Sequence, residues 1–283
     1  MNLSKIKSFL MNYKKSVLAA LVALIIMVIA ALMYQGPAIG HGFWKGTIIG
    51  NFARSIMGVS SWFGNSYGFG IIIFTLLIRI LILPLMVHQT SSMVKMQEIA
   101  PAIKKLQEKY PNKRDTDQMQ KMQAETTALY KEAGVSPFTS LIPLIVQMPI
   151  LIALYQAIFN TKELQTGTFL WVQLGQHDPT YIIPLLAAVF TFVSSFLVML
   201  GQPERNSMTS TMTYAMPVMI FLFAINVPSA LSLYWVVSNA FQAIQTWTIQ
   251  NPFKIRRERE AKKKAIKDRE RAINKAKRSK KRN

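Results

Sequence analysis

The stretch FTLLIRILILPLMV, residues 74–87, places one arginine inside a run of otherwise apolar residues. With its apolar flanks the run covers about residues 68–88, which is the length that a helix needs to cross a membrane. Arg79 lies near the middle of this predicted span, too deep for its side chain to reach the interface unaided. Because an isolated arginine at this depth disfavours insertion by about 2.5 to 3.5 kcal/mol, we expect Arg79 to face water or protein.

The composition of the whole chain also predicts a membrane protein. Its 283 residues are 51% hydrophobic, and its net charge is +20, from 33 Lys and Arg against 13 Asp and Glu. Residues 254–283 hold 16 basic and 4 acidic residues, a net of +12, so most of the excess lies in the C-terminal tail. The chain has no cysteine, which excludes disulfides, thiolate metal sites, cysteine nucleophiles and S-linked lipid anchors.

Apolar runs predict the fold class, an all-α polytopic membrane protein. The chain should form a five-helix core bundle, with core spans at 68–88, 138–160, 181–200, 212–227 and 229–249. A further apolar run at 17–34 follows four lysines, so residues 1–34 are either a signal peptide or a retained N-terminal span.

The distribution of Lys and Arg predicts the topology. Residues 89–137, with eight Lys and Arg, and the basic tail 250–283 should be cytoplasmic, whereas 35–67 should be extracytoplasmic. Residues 42–65 mix aromatic and aliphatic side chains with two cations, as in an amphipathic helix lying on the outer membrane surface.

The cytoplasmic section 89–137 is predicted to be a helical hairpin, because its apolar residues recur at spacings of three and four. Pro101 should kink the first helix or mark a new start, and a turn is expected at Pro111. The apolar stripes either pack on each other or form an adaptable surface for client segments. The second reading rests on four flexible methionines, Met93, Met96, Met119 and Met122.

The motifs of common enzymes and pumps are missing from the sequence. There is no H-E-x-x-H, no G-x-S-x-G and no Walker loop, and none of the three histidines has a partner at metal-ligand spacing. The predicted spans contain no Asp or Glu, which removes proton-relay carboxylates and aspartyl protease pairs. We therefore predict that the protein is not an enzyme and needs no cofactor or metal.

The absence of acidic residues from the spans also bears on Arg79. An ion pair with another span is excluded, so a hydrated cavity is the better explanation for this cation. Uncharged polar residues of several spans are candidates for the same cavity, although such residues more often hold helices together. The candidates for a client-binding groove are Arg79, Thr75, Gln147, Ser194, Ser195, Trp235, Asn239 and Gln242.

Three segments resemble signatures of the YidC/Oxa family of membrane protein insertases. They are IRILILPLMVHQTSSMVKMQEIAPAIKKLQEKY, PLIVQMPILIALYQAI and PSALSLYWVVSNAFQAIQ, and the resemblance runs from about residue 60 to 250. The chain is similar to the short type of Gram-positive bacteria, because 35–67 cannot hold a large extracytoplasmic domain. Many short-type members carry a signal that ends at a lipid-modified cysteine, and this chain has no cysteine.

The resemblance implies an ATP-independent insertase and chaperone in the bacterial cell membrane. It implies that five spans enclose a hydrophilic groove, open to the cytoplasm and to lipid, in which the arginine lies. Client polar segments would pass through this groove while client helices enter lipid. The partners implied are nascent membrane proteins, the ribosome and the Sec translocon.

The basic tail has two compatible interpretations. It binds anionic lipid, with about 1 kcal/mol from each cation near the surface, or it binds ribosomal RNA through phosphates. The resemblance favours ribosome docking. The candidate contacts are Arg256, Arg257, Lys262, Lys263, Lys264, Lys280, Lys281 and Arg282.

A small-anion transporter or channel is the alternative function, with Arg79 as the substrate site. Transporters usually carry internal repeats with paired broken helices, and the sequence has no evident repeat. Solute flux in liposomes without a protein client would favour this alternative.

Overall fold

The computed structural model describes residues 14–34, 41–110, 115–136, 142–202 and 207–280. A π-helical segment, Phe43–Ile49, leads into α2, and another, Thr246–Gln250, follows α9. The helices are α1 Lys14–Met33, α2 Gly50–Trp62, α3 Tyr67–Lys109, α4 Thr116–Glu132, α5 Ile142–Asn160, α6 Lys162–Thr166, α7 Ile182–Leu200, α8 Ser207–Ala224, α9 Ser229–Gln245 and α10 Pro252–Lys280.

Apolar helices make up the bundle. Among the described residues, three helical stretches are long and apolar enough to cross a membrane, and they are Lys14–Met33, Tyr67–Thr90 and Ile182–Leu200. Ile145–Asn160 and Ser210–Ala224 are shorter apolar helices. The largest buried side chains of the core come from α2, α3, α5, α9 and the loop before α7, and they include Ile56, Ile71, Phe74, Leu154, Leu174 and Tyr234.

The first predicted span and the first arm of the predicted hairpin form one continuous helix. α3 runs through both Pro84 and Pro101, so Pro101 does not start a new helix as one reading of the sequence allowed. A proline inside a helix removes one backbone hydrogen bond, and the rest of the long helix compensates for that loss here. α4 forms the second arm and is preceded by its N-cap Asp115, whose side chain accepts a hydrogen bond from the Asp117 N–H. The turn expected at Pro111 lies outside the described residues.

The predicted surface helix at 42–65 packs against the bundle, and its place on the outer membrane surface stays a prediction. α2 contacts α1, α3 and α5, and residues on most of its circumference are buried. Small side chains explain this packing, because Gly58 and Ser55 let neighbouring backbones approach. Asn51 and Trp62 remain exposed.

An ordered loop that the sequence analysis did not foresee connects α5 to α7. It contains α6 and an antiparallel pair of two-residue strands, β1 Thr168–Phe169 and β2 Val172–Gln173. The loop is bonded to the start of α9, where the Ser229 N–H and hydroxyl both donate to the Gln176 carbonyl, at 2.6 and 2.7 Å. These bonds join α5, α7 and α9 at the end of the bundle that the distribution of Lys and Arg predicts to be outside.

Asp178 organises the same loop from within. Its buried carboxylate accepts hydrogen bonds from the Thr180 N–H and hydroxyl, the Trp171 indole and, at the first turn of α7, the Ile183 N–H. Burial raises the pKa of Asp178, but the hydrogen bonds outweigh burial and hold the pKa below its ordinary value. The ionised form is therefore the one that stabilises the fold.

We expect Asp178→Asn to destabilise the protein by about 1 to 3 kcal/mol at neutral pH, because asparagine offers one oxygen acceptor where the carboxylate offers two. Because the pKa of Asp178 is lowered in the folded protein, its ionised carboxylate stabilises the fold fully above the ordinary aspartate pKa of about 3.9. This stabilisation is lost as the pH falls through the lowered pKa of the folded state. Thermal unfolding in detergent from neutral to acidic pH checks both points. The variant should lose less stability on acidification than the wild type. Asp268→Asn on exposed α10 is the control, and equal effects of the two substitutions would contradict this role.

Candidate functional site

Arg79 lies on α3, and its side chain is partly buried in the bundle. Its Nε is buried and has no hydrogen-bond partner among the residues that the structure describes. The phenol of Tyr234 on α9 is close enough to interact electrostatically with the guanidinium. A buried cationic donor without a protein acceptor is costly unless water or a bound segment supplies one.

Tyr234 connects this arginine to a second predicted residue. Its buried hydroxyl accepts a hydrogen bond of 2.6 Å from the Gln147 side chain of α5. Three helices thus contribute to what we call the Arg79 cluster, formed by Arg79, Gln147 and Tyr234. Gln147 and Tyr234 are both uncharged, so neither offers the guanidinium a negative charge.

A second group of predicted residues lies between α7 and α9. The Ser194 hydroxyl is 3.5 Å from the Asn239 side-chain oxygen, and the Asn239 amide donates to the Trp235 carbonyl. The Trp235 ring packs edge-on against Phe223 of α8, with ring centroids 5.7 Å apart. These contacts join α7, α8 and α9, which is the structural role that polar residues of membrane helices commonly have.

The remaining groove candidates are not shown to contact either group. Thr75 is fully buried, and its hydroxyl donates to the Ile71 carbonyl at 2.6 Å, one turn earlier in the same helix. Gln242 donates to the Thr246 hydroxyl at 3.4 Å. Ser195 is half-buried next to Ser194. Thr75 therefore lies in the packed core rather than on a polar surface.

Tyr234 was missed by the sequence analysis, although a signal for it exists. Polar-tipped residues recur along one side of α9 at spacings of four, four and three, namely Tyr234, Ser238, Gln242 and Gln245. Ser238 and Gln245 are buried, as is Tyr234. Counting tyrosine among the polar residues of the span would have included it in the predicted groove.

The hairpin of α3 and α4 has a small ionic cluster between its arms. Lys109 of α3 and the Tyr110 hydroxyl both donate to the Glu125 carboxylate of α4, at 2.8 and 2.7 Å. The bonds from Lys109 and Tyr110 hold the pKa of Glu125 below its ordinary value. Met119 is exposed, and Met96 and Met122 are half-buried, so methionines remain at the hairpin surface. The side chain of Met93 lies outside the described residues.

The basic tail forms α10, whose first turns pack on the bundle. Arg259 donates at 2.8 Å to the Gly201 carbonyl at the end of α7. Burial lowers the pKa of Arg259, and the nearby Glu98 carboxylate opposes that effect. Among the predicted contacts, Arg256, Arg257 and Lys264 are exposed. The side chains of Lys262, Lys263 and Lys280 and the whole of Lys281 and Arg282 lie outside the described residues.

Within the described ranges, no group of three or more His, Asp or Glu side chains is arranged to hold a metal ion. The chemistry available at the Arg79 cluster is hydrogen bonding and charge attraction.

Comparison with known proteins assigns a family to this arrangement. The family model of the 60Kd inner membrane protein matches residues 58–258. Membrane protein insertase YidC 2 of Lactiplantibacillus plantarum is 56% identical over 256 residues, which are 90% of this chain and 92% of the relative. Membrane protein insertase YidC of Enterococcus faecalis is 48% identical over 95% of this chain and 98% of its own length.

A solved structure has a similar fold. It is the crystal structure of an active YidC insertase with the first transmembrane domain resolved. The TM-score is 0.58 at 23% identity, and the match covers 78% of this chain and 50% of that chain. At this identity the likeness concerns the fold, and it agrees with an all-α polytopic membrane protein.

We expect Tyr234→Phe to lower the stability of the bundle by about 1 to 3 kcal/mol, because the Gln147 amide loses its acceptor in a buried position. Thermal unfolding in detergent measures this effect. Tyr155→Phe, at an exposed tyrosine of α5, is the matched control and should change nothing. Equal stability of both variants would contradict the Gln147 bond.

Proposed function

The chain belongs to the YidC family of membrane protein insertases, and we propose that it passes the polar segments of its clients through a hydrated groove beside the Arg79 cluster. The groove lies among α3, α5 and α9 and opens to the cytoplasm. Client helices leave it sideways into lipid. The family is one of insertases and not a known family of catalytic enzymes, and we propose that insertion proceeds without ATP or a cofactor.

The observation that supports the groove most directly is the buried Nε of Arg79, which has no acceptor among the described residues. Such a donor is stabilised when water or the carboxylate of a client segment bonds to it. Water at this depth shortens the apolar barrier that a polar segment must cross, since each unpaired polar group otherwise adds a desolvation cost. The nearby bonded pair of Gln147 and Tyr234 is uncharged and so adds polar surface without a negative charge.

The attraction between Arg79 and acidic client residues gives insertion a direction. A carboxylate entering from the cytoplasm meets the cation at mid-membrane, where low dielectric strengthens their interaction. The client's apolar helix then partitions into lipid, and this step releases the free energy that drives insertion. Short clients with few charges suit this route best.

The hairpin and the C-terminal tail complete the proposed arrangement in the bacterial cell membrane. Residues 89–137 and the tail face the cytoplasm, and the methionines of the hairpin contact emerging client segments. The exposed cations of α10 bind ribosomal RNA or anionic lipid, which brings nascent membrane proteins to the groove. The Sec translocon supplies other clients. Arg259, bonded to Gly201, fixes the direction in which α10 leaves the bundle.

Replacing Arg79 tests the groove. For a short client with acidic residues in its translocated segment, Arg79→Ala should reduce insertion into proteoliposomes roughly tenfold, since a charged hydrogen bond contributes about 1.5 to 3 kcal/mol. Arg79→Lys should retain part of the activity because it keeps the charge. A client with Asn and Gln in place of Asp and Glu should respond less, and Arg54→Ala on α2 is the control. Unchanged insertion of every client would rule out the proposed role of the charge.

Truncating the tail tests ribosome docking. A chain that ends after Phe253 should bind ribosomes more weakly than the full chain at low salt, and the difference should shrink as salt rises. A chain that ends after Ala261 keeps the Arg259 contact with Gly201. If both truncated chains lose the same ribosome affinity, the part of α10 after Ala261 is the part that binds the ribosome. Equal ribosome affinity of all three chains at every salt concentration would show that the tail has another role.

A further inference from the structure

The N-terminal helix α1 presents two different faces. Small or flexible residues at spacings of three and four are buried against the bundle, and they are Ala20, Ala23, Met27 and Ala30. The opposite side carries exposed large aliphatic residues, among them Leu18, Leu21, Ile25 and Leu32. A signal peptide needs only an apolar segment of sufficient length, and its recognition does not require a stripe that fits the mature protein.

The buried face of α1 meets α2 backbone to backbone. A Cβ atom at Gly58 would overlap the carbonyl group of Ala30, so only glycine permits this approach. One turn earlier, the buried Ser55 hydroxyl donates to the Met27 carbonyl at 3.2 Å. Close approach at a small residue together with an interhelical hydrogen bond is how permanent membrane helices associate.

The outer end of α1 is held as well. Tyr34, directly after α1, packs against the core and is close enough to Glu163 of α6 and Tyr67 of α3 for electrostatic interaction. Along its length α1 also packs on α3, the helix that carries Arg79. Removing α1 would expose buried surface on both α2 and α3.

From these contacts we propose that α1 is a permanent membrane span of the working protein, with the α2 surface around Ser55 and Gly58 as its docking site, and is not removed as a signal peptide. The large aliphatic face then lies against lipid. The inference does not depend on the proposed insertion mechanism, because it concerns only the packing of α1.

The first test is the intact mass of the protein purified from a bacterial membrane. The expected mass is that of the whole chain, 32.1 kDa, apart from processing of the initiator methionine. A product that lacks residues 1–34 or more would overturn the proposal.

The second test uses Gly58→Ala, which should lower the thermal midpoint when α1 is present and should not lower it when α1 is absent. With α1 in place, Gly58→Ala should lower the thermal midpoint by several degrees, because the new methyl group pushes the Ala30 backbone away. Without α1 the same change should be neutral or stabilising, since alanine is the better helix former. Gly50→Ala is the matched control in the same helix, because its Cβ would meet only the Lys45 carbonyl at 3.6 Å. A thermal midpoint of Gly58→Ala at or above that of the wild type would overturn the docking site. If this variant does not accumulate in the membrane, the intact mass of the wild-type protein decides the proposal.

Discussion

The guanidinium of Arg79 constrains the rest of the bundle because no carboxylate of a neighbouring span is there to neutralise it. A buried ion pair would have neutralised the charge, and the partner side chain would have filled the space around the guanidinium. Tyr234, which interacts electrostatically with the guanidinium, is uncharged and bonds to the equally uncharged Gln147. The predicted spans therefore offer the cation polar groups but no negative charge.

The two ends of the bundle are stabilised in different ways. At the end predicted to be outside, the buried Asp178 and the Gln176 carbonyl join the loop, α7 and α9 through hydrogen bonds of 2.7 to 2.8 Å. At the other end, Glu125 and Lys109 join the hairpin through exposed side chains, and such pairs contribute little and weaken with salt. Local opening therefore costs less on the hairpin side.

The sequence predicted those features that follow from a physical rule applied to one residue at a time. The depth of Arg79 and the lack of acidic residues in the predicted spans were sufficient to expect polar partners in the interior. Gln147 does bond to the buried Tyr234, and its place in a client-binding groove stays a prediction. Thr75 shows the limit of such rules. Its hydroxyl donates to the Ile71 carbonyl one turn earlier in the helix, and the side chain can then pack like an apolar group. The role of Asp178 could not be predicted, because it depends on a loop fold in which residues 171, 180 and 183 converge. Tyr234 was overlooked because tyrosine was not counted among the polar residues of the predicted spans.

The continuity of α3 from Tyr67 to Lys109 has a mechanical consequence. A helix of this length extends for about 65 Å, so the arginine and the hairpin arm are parts of one rod. Under the proposed function, force that a client applied to the hairpin would be transmitted along this helix towards Arg79. Pro84 and Pro101 both lie between Arg79 and the end of the helix, and because each removes one backbone hydrogen bond, the helix bends most easily at these two points.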